Sequence, residues 1–288
     1  MTRQQIATSA AAVILAVLAT LSLGAPLIAA ILGQDPNNVD LLARFAPPSM
    51  AHPLGTDDIG RDELLRLLYG GRVSLAVGLT AAVIAATIGT TIGLIAGYFG
   101  GRLDALLMRL TDAVIALPLL PLLIVLAAID LSKLGIPADL ANSQQISFYR
   151  IVAIIALVGW TTVARLVRAT TLSLLTRDFV RAARALGAGP SRIMLVHILP
   201  NAISPVIVAA TLAVGNVILF ESVLSFLGLG IQPPIASWGN MLTNAQEIIQ
   251  TEPMLAIWPG LLIFMTVASC NLLGDALQDA LDPRGRKN

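Results

Sequence analysis

The chain has 288 residues, of which 56% are hydrophobic and 12% are charged, and its formal net charge is +1. Because soluble domains usually carry about a quarter charged residues, this composition excludes a typical soluble protein and indicates a membrane protein. One cysteine, Cys270, excludes a disulfide framework, and the distant His52 and His197 lack the spacing of a metal site, so we expect no bound metal.

Six apolar segments approach or exceed the length needed to cross the hydrocarbon layer, which is about 20 residues. The first follows Arg3 and runs for about 25 residues, longer than the core of a secretory signal, so we expect it to be retained. The fourth is the weakest, since only residues 151–164 within it are uncharged. The predicted spans are residues 8–32, 73–98, 113–131, 147–167, 202–228 and 254–274.

The basic residues predict how these spans are oriented. With six spans, both termini and every second connection lie on one side of the membrane, and 12 of the 18 Lys and Arg residues fall on that side. They include Arg284, Arg286 and Lys287, after the last span. Positively charged connections favour the cytoplasm, so we expect both termini to be cytoplasmic.

A short amphipathic helix is predicted before the second span. Thr56 or Asp57 can cap it, and Gly70-Gly71 can end it. We expect it to lie along the outer membrane surface with a leucine-rich side inward. The side chains expected to stay polar and outward are those of Arg61, Asp62, Glu63 and Arg66.

Glycines and prolines predict the packing of the next two spans. Gly89, Gly93 and Gly97 recur every four residues and leave a smooth stripe on the second span, which predicts close contact with another helix. Pro118 and Pro121 remove backbone donors from the third span. We expect a bend there, either a fixed kink or a moving hinge.

The connection of residues 165–201 is basic and has the character of a soluble segment. Asp178 precedes residues 180–186, which read as a capped helix, and Gly187, Gly189 and Pro190 follow as helix breakers. Such a helix at the inner surface suits either anionic lipid or docking into another protein.

Polar residues inside the fifth span are candidates for the path of a transported solute. Glu221 follows 19 uncharged residues, and a carboxylate there is costly unless it is paired, hydrated or protonated. It serves either as a hydrogen-bonding group within the bundle or as part of the path. Asn216 is a second candidate, with helix packing as the alternative role.

The segment of residues 231–253 is expected on the outer side. Trp238, like Trp258 in the sixth span, suits the boundary between water and lipid. The segment either contacts a binding protein or covers the rim of the bundle.

Motifs of several enzyme classes are missing. The sequence has no G-x-x-x-x-G-K-[ST] loop for a nucleotide, no G-x-S-x-G nucleophile turn and no H-E-x-x-H helix. We therefore expect no catalytic residue in this chain and no ATP hydrolysis by it.

The basic connection resembles a known motif. Ala182-Ala183, Gly187 and Leu199-Pro200 are similar to the cytoplasmic "EAA" loop in permeases of ATP-binding-cassette (ABC) importers, with Arg181 in place of Glu and His197 in place of Ile. Further blocks resemble the C-type permease subunit of dipeptide, oligopeptide and nickel importers. They are HPLGTDDIGRDELLRLLYGGRVSL at residues 52–75, AGYFGGRLD at 96–104, LSFLGLGIQPPIASWGNML at 224–242 and NLLGDALQDALDPR at 271–284.

The resemblance implies an all-α membrane bundle of six spans with the type I ABC importer permease fold. It also implies a heterodimer with a B-type permease, two ABC ATPases that hold ATP and Mg, and an extracytoplasmic solute-binding protein, with no nucleic-acid partner. Residues 1–72 are then an N-terminal span with its outer loop, and residues 73–288 a core of five spans with a coupling loop at 168–201. The coupling residues implied are Arg181, Ala182, Ala183, Arg184, Leu186, Gly187, Ala188, Leu199 and Pro200.

Short peptides are the solute that the resemblance favours, with nickel complexes, glutathione or another small solute as alternatives. Two other classes of function stay open. One is an ion-coupled carrier that works alone, and the other is a membrane scaffold whose basic helix holds lipid or a peripheral enzyme.

Overall fold

The computed structural model describes residues 3–137, 139, 143–243 and 245–281. Regular structure in these residues is helical, apart from one isolated bridge between Thr56 and Asp62, so the predicted all-α fold is confirmed there. Arg284, Arg286 and Lys287, with the end of the last sequence block, lie outside the described residues.

The helices follow the apolar segments of the sequence. In chain order they are α1 Arg3–Leu23, α2 Ala25–Leu32, α3 Glu63–Phe99, α4 Gly101–Ala116, α5 Leu119–Ala127, α6 Gln144–Gly159, α7 Thr161–Leu175, α8 Asp178–Ala185, α9 Pro190–Phe226, α10 Ala245–Ile248 and α11 Met254–Leu281. A π-helical turn, Ile193–Ile198, lies within α9. Short 3-10 turns occur at Leu41–Ala43, Leu131–Leu134 and Asn240–Leu242.

Within the described residues, four helices are long and apolar enough to cross a membrane unbroken, namely α1, α3, α9 and α11. Two further spans are bent pairs, so the predicted total of six is reached when each pair counts once. Helices α4 and α5 meet at 87° beside Pro118, which confirms the predicted bend. Helices α6 and α7 meet at 41° beside Trp160, a bend that was not predicted from the sequence.

Helix α3 is a single helix of 37 residues, so the predicted separate surface helix is wrong. Its cap is Asp62, whose carboxylate accepts from the Leu65 N–H at 2.7 Å, and neither Thr56 nor Asp57 caps it. Gly70 and Gly71 lie inside the helix and do not end it. Because they lack side chains, other segments can pack closely against them. A Cβ atom on Gly70 would lie 3.2 Å from the Ser237 backbone.

The polar side chains of this first turn are also not outward. Asp62, Glu63 and Arg66 are all buried, because the segment before α3 folds back over it. Asp57 organises that segment: its carboxylate accepts from the N–H of Ile59 and from Arg61 Nε at 2.6 Å. The division of the chain between residues 72 and 73 falls inside α3.

The glycine stripe of α3 faces α7, as the spacing predicted. A Cβ atom on Gly89 would lie 2.5 Å from the Trp160 carbonyl oxygen, and one on Gly93 would lie 2.6 Å from that of Ala164. Since the obstructing atoms are backbone, the two helix axes can come this close only while these positions lack side chains.

Different segments cover the two ends of the bundle. Residues 33–62 and 227–253 meet around the first turns of α3, and we call this the loop end. Residues 176–192 lie at the opposite end, which we call the arginine end after its four arginines. Helix α1 packs along α11, and its Ser22 lies beside Gly71 near the loop end, so residues 3 and 281 are both at the arginine end.

The segment at residues 231–253 covers the rim of the bundle, one of the two expected roles. Trp238 is only 1% exposed and donates through Nε1 to the Leu67 carbonyl at 2.9 Å. The prediction that Trp238 sits at the lipid boundary is therefore wrong, because the loop carries it into the core.

Candidate functional site

Helix α8 forms a two-turn projection at the arginine end. Val180 anchors it, since this side chain is 1% exposed and packs in a cluster with Ile193 and Ile198 of α9. The predicted cap is wrong: Arg177 holds the cap position without a side-chain hydrogen bond, and Asp178 is already the first helical residue. Its carboxylate instead complements the positive end of the helix dipole.

The end of α8 is fixed by backbone geometry at Gly187. The Gly187 N–H donates to the Arg184 carbonyl at 3.0 Å, and the Ala188 N–H donates to the Ala183 carbonyl at 3.0 Å. This pair of bonds is the Schellman motif, which requires a left-handed residue, and Gly187 has φ of 84°. The predicted break at Gly187 is confirmed, and its reason is local conformation.

Most of the predicted coupling residues form the outer surface of this projection. Leu186 is 89% exposed, which is unusual for so large an apolar side chain. Those exposed are Arg181, Ala182, Arg184, Leu186, Gly187 and Pro200, whereas Ala183, Ala188 and Leu199 are half-buried. The structure thus divides the motif into an outer face and an inner support.

An aromatic residue, which the sequence motif does not single out, completes the outer face. Phe179 is 44% exposed and lies seven residues before Leu186, so the two share one side of α8. Ala182, between them, leaves a shallow notch. The helical spacing of Phe179, Ala182 and Leu186 is the signal that identifies this surface, and we call these three residues the α8 face.

Support for α8 comes from several neighbours. Ala188 and Leu199 pack against the same cluster as Val180. The Arg184 guanidinium lies 5.8 Å from the centre of the Tyr98 ring at the end of α3, a cation–π distance. Helix α8 therefore contacts both α3 and α9.

Ion pairs link α4 to α7 nearer the arginine end. Arg168 holds Asp104 with two parallel hydrogen bonds, one of them 2.6 Å from Nη2 to Oδ2, and Arg165 pairs with Asp112. Both arginines lie in α7, whereas a connecting loop was predicted to begin at residue 165. Their acidic partners lie more than fifty residues earlier in the chain, so no local pattern reveals the pairs.

A largely apolar cavity of about 500 Å³ lies where the two bent pairs meet α9. Val114, Leu123 and Ile155 line it, together with Phe220 of α9. Asn216 contributes the amide on this wall, and its side chain is exposed in this chain. Its place on a solute path stays a prediction that this position favours.

Glu221 lies away from that cavity and is fully buried. Its carboxylate accepts from the Ser225 hydroxyl at 2.7 Å and from the Ser74 hydroxyl of α3 at 3.0 Å. Ser74 in turn accepts from the Trp238 N–H at 3.2 Å. Of the two roles left open, the hydrogen-bonding role is the one this geometry displays, and a role on the path stays a prediction.

Replacing Glu221 with leucine is expected to lower stability markedly. Three buried serine hydroxyls, those of Ser74, Ser225 and Ser237, would lose their acceptor inside the bundle, and each unsatisfied buried group costs about 1–3 kcal/mol. Glu221→Gln keeps an acceptor of the same shape and should lose much less. The thermal unfolding midpoints of the purified variants in detergent measure the difference, and equal midpoints for the two variants would contradict the hydrogen-bonding role.

Comparisons with known proteins bear on this arrangement. The family model of the binding-protein-dependent transport system inner membrane component matches residues 89–287. The dipeptide transport system permease protein DppC of Escherichia coli (strain K12) is 44% identical over 248 residues, which cover 84% of this chain and 78% of that protein. The oligopeptide transport system permease protein OppC of Bacillus subtilis (strain 168) is 36% identical over 253 residues, which cover 88% and 78%.

A solved structure of an amino acid ABC transporter with histidines is similar in fold. It matches with a TM-score of 0.50 at 21% identity, over 76% of this chain and 94% of that chain. At this identity the likeness concerns the path of the backbone.

Proposed function

This chain belongs to the family of binding-protein-dependent transport system inner membrane components, and from that premise we propose that it forms half of the membrane channel of an ABC importer for short peptides. The observation that carries the proposal is the α8 face. It projects from a buried anchor, and its Leu186 is 89% exposed in the part of the chain that the structure describes. We expect such an exposed apolar surface to be buried against a partner protein at the arginine end.

The expected partner at the α8 face is an ABC ATPase. Phe179 and Leu186 stand on either side of Ala182, a shape that fits a groove. Two such ATPases, holding ATP and Mg, would drive the cycle, because this sequence has no nucleotide loop. When they close on ATP, α8 moves as a lever and passes the motion to α3 and α9.

The arginine end is assigned to the cytoplasm in this proposal, with both termini there. The charge bias of the sequence and the need for ATP support that assignment. The loop end then faces outward, where an extracytoplasmic solute-binding protein delivers the solute.

The other half of the channel is assigned to a B-type permease subunit. The cavity beside Asn216 has mostly apolar walls and opens on one side of this chain, so a second bundle would close it. Alternation between two arrangements of the paired bundles would expose the solute to each side in turn.

Peptides are proposed as the solute because the relatives at 44% and 36% identity are named for dipeptide and oligopeptide transport. Nickel complexes and glutathione are the alternatives for the assay. Among the described residues, no group of three or more His, Cys, Asp or Glu side chains is placed to hold a metal ion.

Site-specific cross-linking tests the proposal. A photoreactive amino acid at position 186 in native membranes is expected to yield a product with an ATP-hydrolysing subunit, identified by mass spectrometry. The matched control is position 42, since Leu42 is 99% exposed at the loop end. If position 186 gives no ATPase product, or position 42 gives the same one, the assignment fails.

A further inference from the structure

A second pocket lies at the loop end, separate from both the α8 face and the cavity beside Asn216. Its volume is about 340 Å³. The first turn of α3 and the preceding segment form one wall, and the covering loop forms the other. The side chains that matter for its chemistry are Asp57, Glu63, Arg66, Gln232, Asn240 and Ile248.

One acidic and one basic side chain in the lining have a polar atom without a hydrogen-bond partner. Glu63 is 2% exposed and Arg66 is 4% exposed. Among the described residues that line the pocket, Glu63 Oε1 and Arg66 Nη1 are the buried side-chain atoms with no hydrogen-bond partner. Burying such atoms unpaired is costly, so they mark a place where a ligand has much to gain.

The rest of the polar lining is already engaged. Asp57 holds Arg61 Nε at 2.6 Å and Arg66 Nε at 3.5 Å. On the opposite wall, Gln232 donates to the Gly228 carbonyl at 2.9 Å, and Asn240 donates to the Ile235 carbonyl at 2.8 Å. These bonds hold the lining side chains in place. The buried atoms that remain able to form a new hydrogen bond with a ligand are Glu63 Oε1 and Arg66 Nη1.

The positions of Glu63 and Arg66 indicate the chemistry of a ligand that would pair with their two unpaired atoms. They are three residues apart on one helix, so they share a face and are separated by roughly one helical turn. The carboxyl oxygen Glu63 Oε1 can accept a hydrogen bond, and the guanidinium nitrogen Arg66 Nη1 can donate one. A single small molecule satisfies both if it carries a primary ammonium and a carboxylate a few bonds apart.

We propose that this pocket binds a small zwitterion, the chemistry of a free amino acid or short peptide, with its ammonium on Glu63 and its carboxylate on Arg66. The inference deepens the proposed function, since it places a receiving site for peptide ends in the membrane subunit itself. Ile248 and the other apolar lining side chains provide room for uncharged side chains of the ligand.

A cysteine-protection experiment tests the pocket apart from transport. Thr243 lines the pocket and is exposed, so Thr243→Cys gives a reporter, and the buried native thiol is removed with Cys270→Ser. The full transporter is placed in nanodiscs without binding protein. Labelling by a small neutral thiosulfonate is then timed with Ala-Ala, N-acetyl-Ala-Ala or Ala-Ala-amide present at millimolar concentration.

We expect Ala-Ala to slow the labelling, and we expect either capped form to act about tenfold or more weakly, because each lacks one charged hydrogen bond. Glu63→Gln should remove the advantage of the free ammonium and keep that of the carboxylate. Ile248→Trp narrows the pocket without altering Glu63 or Arg66 and should abolish protection, which keeps the test valid if the Glu63 variant does not fold.

Equal protection by the free and capped peptides, or none by Ala-Ala, would overturn the inference. ATP-driven uptake of Ala-Ala into vesicles supplied with binding protein is measured in parallel. If Ala-Ala gives no protection but its uptake is normal, the proposed pocket is wrong and the proposed transport function stands. Protection without uptake leaves the pocket standing as an amino acid or peptide site and sinks the proposed transport function.

Discussion

Replacing Gly93 with leucine is expected to prevent this chain from accumulating as a folded membrane protein. The first added carbon would lie 2.6 Å from the Ala164 carbonyl oxygen and 2.8 Å from the Val167 Cβ. Neither atom can rotate away, so α3 and α7 would have to separate along their whole contact. Overpacking of this kind costs about 1–3 kcal/mol or more where the backbone must move. Fluorescence-detected size-exclusion chromatography of solubilised membranes would show loss of the monodisperse peak.

The matched control is Gly260→Leu in α11. Gly260 is also a glycine of a long membrane helix, but a Cβ atom there meets no other atom within 4 Å. Its profile should match that of the unmodified protein. If the Gly93 and Gly260 variants behaved alike, close contact between α3 and α7 would not be what the glycine stripe provides.

Replacing Leu186 with aspartate should uncouple the transporter while the bundle stays intact. Leu186 is 89% exposed, so a charge costs the isolated chain little. Against an ATPase groove, the loss of a buried apolar anchor is worth about 2 kcal/mol or more, which exceeds a tenfold change in docking. In proteoliposomes, peptide uptake and peptide-stimulated ATP hydrolysis should both fall, and basal hydrolysis should persist.

Leu42→Asp serves as the control, because Leu42 is 99% exposed at the opposite end. Its thermal midpoint and the stimulated hydrolysis should both stay at the unmodified level. Normal uptake by Leu186→Asp would mean that the α8 face does not transmit the motion of the ATPase to the bundle.

Hydropathy and helix-breaking residues were sufficient to predict most of the membrane architecture. Apolar runs located the four unbroken spans and the two bent pairs, Pro118 located the sharper bend, and the spacing of Gly89 and Gly93 located a close helix contact. These features are local, because the residues that specify them lie within one helix.

Several of the wrong predictions have a different cause, which is distance along the chain. Gly70-Gly71 looked like a helix end because their packing partners, Ser237 and Trp238, come more than 160 residues later. The second partner of Glu221 was hidden for the same reason, since Ser74 is 147 residues away, whereas Ser225 lies only one helical turn along α9. Such pairs depend on how the spans are arranged, and no window of sequence contains both members.

The α8 face was only partly predictable from the sequence. The family motif identified Ala182 and Gly187, yet the large side chains that flank the notch, Phe179 and Leu186, stand out only when exposure is known. The motif also mixed two roles, since Leu199 supports the helix from within.

The length of α3 has a consequence for where water reaches the protein. Its 37 residues span about 55 Å, whereas the hydrocarbon layer is about 30 Å thick. Even at the steepest usual tilt, about 40°, roughly 16 Å of the helix must extend beyond the hydrocarbon layer. If the protruding part of α3 is the end that carries Glu63 and Arg66, a solute in water reaches these residues without entering the hydrocarbon layer.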